Sequence, residues 1–95
     1  MKFENVWDAL ATTPEEALNL TFRSDLMSSI EKMVESWNIT QAEAATRLGI
    51  TRPRLNDLMR GKLSKFSLDA LTTLATRAGL RVQLSVKKMQ VKRAA

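Results

Sequence analysis

The sequence reads as a single all-α domain in which five helices are followed by one C-terminal β-strand. Three observations predict it. Apolar residues recur at spacings of three and four through most of the chain, helix-capping hydroxyls stand at Thr13, Thr40, Thr51 and Ser67, and the apolar period drops to two only after Gly79. With 95 residues and 44% hydrophobic content the chain can bury one modest core, and its three Gly and two Pro are too few for a disordered composition. No repeat, linker or low-complexity tract divides residues 1–95, so they form one domain.

The elements follow in order. Phe3, Val6, Trp7 and Leu10 mark a small amphipathic segment, expected to fold over the core as a lid. Thr13, Pro14, Glu15 and Glu16 then place a hydroxyl cap, a proline in the first turn and a carboxylate three residues past the cap, which opens a long helix. Leu18, Phe22, Leu26, Ile30, Met33, Val34 and Trp37 form one apolar stripe along it, unbroken by Gly or Pro, and predict the first wall of the core. Trp37 and the five Met read as packing residues rather than ligands, since they lie where helical periodicity calls for apolar groups or in flexible ends.

Thr40 and Glu43 repeat the capping-box pattern and start a short helix that stops at Gly49. Ile50 supplies an apolar anchor, Thr51 caps the next helix, and Pro53 falls in its first turn, where no amide is needed for the helical ladder. This helix runs to Gly61 with Leu55, Leu58 and Met59 inward, leaving Arg52, Arg54, Asn56, Asp57 and Arg60 for solvent or a partner. After the Ser67 cap, Leu68, Leu71, Leu74, Ala75 and Ala78 line a further helix that Gly79 ends. Leu80, Val82, Leu84 and Val86 then alternate with Arg81, Gln83, Ser85 and Lys87, which predicts a strand over residues 80–87. A lone strand leaves its amides unpaired, so it is expected to pair with residues 3–6, with the same strand of a second subunit or with another protein's sheet edge. Residues 88–95 read as a short basic tail expected to fray.

Charge narrows the function classes. Residues 1–50 hold four basic and eight acidic side chains, a net −4, whereas residues 51–95 hold eleven basic and two acidic, a net +9. The total of +5 conceals a polarised chain whose basic half suits a polyanion, although a basic run also serves as a merely solvated surface. Zero His and zero Cys remove the commonest general base, thiolate chemistry and the usual zinc ligands, so no metal or other cofactor is expected. No nucleophile–base pair, Gly-rich phosphate loop or carboxylate cluster with metal-ligand spacing stands in the sequence, which argues against an enzyme. Acidic residues at Glu4 and Asp8 do not suit a secretory signal, and no apolar run approaches the roughly 18 residues of a membrane span, so a cytoplasmic protein with no membrane partner is expected.

The segment TQAEAATRLGITRPRLNDLMRGK, residues 40–62, resembles the helix-turn-helix of the phage-repressor-like, or Xre, family. Ala45 stands where only a small side chain lets the second helix cross closely, Gly49 makes the turn, and Leu48, Ile50, Leu55 and Leu58 hold the pair to the core. Capped helical hairpins also occur in proteins that bind no nucleic acid. Across nearly its whole length the chain is similar to the branch that includes HigA-like antitoxins, through NVWDAL, TPEEALNLTFRSDLM, FSLDAL and AGLRVQLSVK.

That resemblance implies a single repressor-like domain over residues 1–95 with its helix-turn-helix at residues 40–61, double-stranded DNA as partner, and a cytoplasmic, nucleoid-associated location. The second helix of the motif would enter the major groove, with Thr51, Arg52, Pro53 and Asn56 facing bases and Arg54 and Asp57 at bases or backbone. Arg52 suits guanine through two parallel donors and Asn56 suits adenine. Pro53 departs from the polar residue common in such repressors and offers only an apolar contact. Gln41, Arg60, Lys62 and Lys65 would meet phosphates. A homodimer would bind a palindromic operator with half-sites about 34 Å apart, and Leu80, Val82, Leu84 and Val86 are the candidate dimerisation residues. The branch further implies an antitoxin that pairs with a ribonuclease toxin and represses its own operon. A plain repressor without a toxin, and a toxin-binding module with incidental DNA affinity, remain the alternatives. RNA fits less well, because the five aromatic residues stand mostly at packing positions rather than on a sheet face that could stack bases.

Overall fold

A computed structural model describes residues 13–89. Helix α1, Pro14–Trp37, begins where the Thr13 hydroxyl accepts from the Glu16 amide at 3.1 Å and ends where Asn38 turns left-handed at φ 53°. Helix α2, Gln41–Leu48, is capped by Thr40, whose hydroxyl accepts from the Glu43 amide at 3.1 Å and donates to the Glu43 carboxylate at 3.0 Å. Helix α3, Arg52–Met59, starts under the Thr51 hydroxyl, and a 3₁₀ turn, Leu63–Lys65, leads to helix α4, Leu68–Arg77, capped by Ser67. All four predicted caps accept the first-turn amide three residues on, so each helix begins where a short polar side chain supplies the missing acceptor.

The core lies where α1 meets the three shorter helices. Met27, Ile30 and Val34 of α1 pack with Ala44, Ala45 and Leu48 of α2, Leu55 and Leu58 of α3, Phe66 beyond the 3₁₀ turn, and Leu71, Leu74, Ala75 and Ala78 from α4 and its end. Helix α1 packs chiefly on α4, and α2 on α3. No polar or charged side chain is buried among the described residues, so the core is held by apolar burial, roughly 25 cal/mol for each Å² removed from water.

Two expectations are corrected here. Five helices and a C-terminal strand were expected; among the described residues there are four α-helices, one 3₁₀ turn and no strand. The expected lid of Phe3, Val6, Trp7 and Leu10 lies outside the described residues. Residues 80–89 adopt no regular secondary structure. Leu80 is tied back to α4, its amide donating to the Ala75 carbonyl at 2.9 Å, and it packs partly against the core; every residue from Arg81 to Met89 is exposed. Alternation prepares one apolar face, but a strand exists only in a ladder, and no described segment pairs with this one.

The stripe on α1 is also shorter than its periodicity. Leu18 and Phe22 are 54% and 40% exposed, while Leu26, Met33 and Trp37 flank the buried set of Met27, Ile30 and Val34. Helix α1 has 24 residues against 8, 8 and 10 in the others, so the short helices pack mainly against its second half. The Met reading holds for Met27, which is buried, and in part for Met33 and Met59, but Met89 is 85% exposed.

Glu31 stands half-buried on α1, one turn before Glu35. Burial, and then the like charge of Glu35, push its carboxyl above the ordinary value of 4.5. The folded state therefore holds this proton more tightly than the unfolded chain, and stability falls as pH rises from the ordinary value through the raised one. Glu31→Gln is expected to raise the melting temperature at pH 7 and to flatten that part of the pH–stability curve, as thermal melts from acid to neutral pH would record.

Candidate nucleic-acid interface

Helices α2 and α3 cross over small side chains. Ala44 and Ala45 are 2% and 3% exposed, and Leu48, Leu55 and Leu58 are fully buried beneath them. The turn between them depends on Gly49 twice. Its φ is +70°, a conformation costly for residues with a Cβ, and an added Cβ would stand 3.0 Å from the Arg77 guanidinium. Amides of Gly49 and Ile50 donate to the carbonyls of Thr46 and Ala45, and Arg77 reaches from α4 to donate to the Leu48 carbonyl at 3.1 Å. The end of α2 is thus closed by its own backbone and by a cation from another helix, with the charge sign that a helix C-terminus favours.

The candidate residues separate into two groups. Thr51, Arg52, Pro53 and Asn56 are exposed at the start of α3, and Arg52 and Asn56, four residues apart, share one helical face. Among the described residues neither the Arg52 nor the Asn56 side chain has a partner, whereas the Thr51 hydroxyl is engaged as the cap. Arg60, which ends α3, and Gln41, at the first position of α2, are exposed as well.

Arg54 and Asp57 turn instead toward the loop after α3. Arg54 donates to the Lys65 carbonyl at 2.8 Å, and its guanidinium lies 4.2 Å from the centre of the Phe66 ring. The Asp57 carboxylate pairs with the Lys62 ammonium at 3.3 Å and the Lys65 ammonium at 4.0 Å. The backbone joins the same residues: the Lys62 amide donates to the Asp57 carbonyl at 3.1 Å, the closing hydrogen bond of a left-handed helix end at Gly61, φ +70°. Lys62 and Lys65 therefore stand beside α3, exposed but tethered. Of the candidate dimerisation residues, Leu80 is half-buried, whereas Val82, Leu84 and Val86 are 47%, 81% and 83% exposed.

This geometry has counterparts among known proteins. Residues 9–87 match a family described as a helix-turn-helix domain. A solved structure described as an XRE-family transcriptional regulator is 30% identical, with a TM-score of 0.71, over 81% of this chain and 86% of that one. The chain belongs to the XRE-type helix-turn-helix family. None of the curated proteins matches the sequence. Within the XRE-type arrangement α2 is the first motif helix and α3 the second, so Arg52, Pro53 and Asn56 occupy the exposed beginning of the second helix.

Three positions important to this XRE-type site escape sequence reasoning. Arg23 of α1 donates to the Leu63 and Phe66 carbonyls at 3.0 and 3.3 Å while its Nε donates to Asn19 at 2.7 Å. Together with Arg54 it fixes the segment that carries Lys62 and Lys65. Arg77 braces the turn, and Phe66, 1% exposed, is the apolar post against which Arg54 lies. Only the Asn19–Arg23 spacing of four carries a local signal; the other contacts join residues far apart in sequence. No described helix is long and apolar enough to cross a membrane.

Arg54→Met keeps most of the side-chain length while removing its donor and its charge over Phe66. It is expected to cost about 1–3 kcal/mol of folding stability in urea titrations. Arg52→Ala, changing an exposed and unpartnered residue, is expected to stay within about 0.5 kcal/mol of the parent.

Proposed function

We propose that this XRE-type helix-turn-helix protein, a DNA-binding transcriptional regulator by its family, represses an operon by binding a palindromic operator and serves as the antitoxin of a toxin–antitoxin pair. The observation that carries the DNA reading is the pair Arg52 and Asn56, exposed, without a side-chain partner among the described residues, and on one face at the start of α3. A guanidinium there can donate twice to guanine, and a carboxamide can both donate to and accept from adenine. Thr51 and Pro53 border them and add, respectively, a polar and an apolar contact. Gln41, Arg60, Lys62 and Lys65, all exposed, supply phosphate contacts that position the helix without reading sequence. Arg54 and Asp57 act behind that face, through the loop they hold.

A homodimer would present two such helices to two half-sites. Support for self-association comes from Val82, Leu84 and Val86, three large apolar side chains left to water beyond α4. The antitoxin role draws on the start of α1. Helix α1 opens with Glu15 and Glu16 and leaves Leu18 and Phe22 exposed, an acidic and apolar surface suited to a basic protein such as a ribonuclease. A plain repressor would lack that partner. Co-expression with the product of the neighbouring gene, followed by footprinting on the upstream DNA, tests both parts: protection without a co-purifying partner leaves the plain repressor, and a stable pair that protects no DNA leaves a toxin-binding module.

Two substitutions separate reading from positioning. Arg52→Ala is expected to cost about 1–3 kcal/mol on the operator and to relax base preference, whereas Lys62→Ala weakens every duplex alike and flattens the salt dependence by about one unit. Equal losses on operator and scrambled DNA for both would show that Arg52 reads no base. For the dimer, replacing Val82, Leu84 and Val86 by Ser is expected to yield monomers by light scattering; an unchanged mass would move the interface elsewhere.

A further inference from the structure

Among the charged groups next to α3, one carboxylate carries the wrong sign for a surface that meets phosphates. Asp57 is an acid on a helix whose other ionised side chains, Arg52, Arg54 and its capping Arg60, are all cations. Its carboxylate is mostly covered, at 22% side-chain exposure, and is shared by Lys62 and Lys65, which are themselves 42% and 54% exposed. The two ammonium groups remain open to solvent, which screens the pairing, so stability is a weak reason for the cluster. Its electrostatic effect is larger in consequence. Two ammonium groups and one carboxylate present a single net positive charge to an approaching duplex, and the carboxylate repels the same phosphates that the lysines attract.

We infer that Asp57 is a positioning residue that tethers Lys62 and Lys65 against α3 and restrains the sequence-independent attraction of this loop to DNA. The inference rests on the DNA-binding reading above. Tethering holds both ammonium groups on the loop that follows α3, the helix that carries Arg52 and Asn56, and from there they can meet the DNA backbone. Restraint follows from Coulomb attraction: a lysine that reaches for phosphate must loosen its hold on Asp57, so each contact made away from the operator gains less. Binding to bulk DNA is almost wholly electrostatic and is therefore the property most sensitive to one added net charge. The backbone bond from the Lys62 amide to the Asp57 carbonyl and the Arg54 bond to the Lys65 carbonyl keep the loop in place without the carboxylate, so its charge can be removed separately from the fold.

The test uses the full chain and a scrambled duplex, titrated across a range of salt concentrations. Asp57→Asn is expected to bind the scrambled duplex about three- to tenfold more tightly at low salt and to steepen the plot of log affinity against log salt by about one unit. Asp57→Glu, which keeps the charge, is expected to retain the parent slope. Adding Lys62→Met to Asp57→Asn should then cost more affinity than Lys62→Met costs in the parent, the signature of a coupled pair. If Asp57→Asn leaves slope and affinity unchanged, weakens the scrambled duplex, or alters preference at one base position alone, the assignment is overturned. A parent protein that binds no duplex overturns the DNA reading itself, which keeps the two failures distinct. Thermal melts of each variant guard against unfolding; should Asp57→Asn not fold, a parent slope in Asp57→Glu combined with a steeper one in Asp57→Ser decides the matter the same way.

Discussion

The close crossing of α2 and α3 is the constraint on which the rest of the molecule depends. It needs two adjacent alanines at the contact, a left-handed residue at the turn, and space above that turn for a guanidinium from α4. Each requirement concerns size. A larger side chain at Ala44 or Ala45 would force the helices apart, and any side chain at Gly49 would meet both unfavourable backbone sterics and Arg77. Because α3 is set by that crossing, its inner residues Leu55 and Leu58 bury completely and its first turn projects from the domain.

Projection alone does not make a surface that recognises anything. The polar residues of α3 divide according to what lies beside them. Arg52 and Asn56 look outward and keep their hydrogen-bonding capacity, whereas Arg54 and Asp57 are spent on the loop after Gly61. Arg23 completes that loop from the opposite side, with two carbonyls as acceptors. Guanidinium groups suit this work because several donors in a fixed plane can satisfy backbone oxygens that an irregular turn leaves without helical partners. The loop lysines thereby acquire defined places, and the basic half of the chain becomes a shaped surface rather than a diffuse charge.

The two ends of the described chain show the reverse situation, large apolar groups that stay substantially open to water. Leu18 and Phe22 lie where α1 outruns its neighbours, and Val82, Leu84 and Val86 follow the last helix into water. Apolar surface left exposed in this way favours association, at the first end beside acids and at the second among cations.

Helix positions, caps and the recognition motif were legible in the residues themselves, because capping hydroxyls, glycine stops and apolar spacing act within a turn or two of the backbone. Exposure of Arg52 and Asn56 was legible for the same reason, since Leu55 and Leu58 orient the helix and the other face must turn out. The strand over residues 80–87 was misread because alternation describes one face of a segment and says nothing about a partner for its amides. The stripe at Leu18 and Phe22 overreached because period reports amphipathicity, while burial depends on how far neighbouring helices extend. Arg23, Arg54 and Arg77 received their roles from tertiary structure alone: their partners are loop carbonyls, a ring and a carbonyl 29 residues away, brought near only when the core closes, whereas Asp57 meets lysines just past the Gly61 turn.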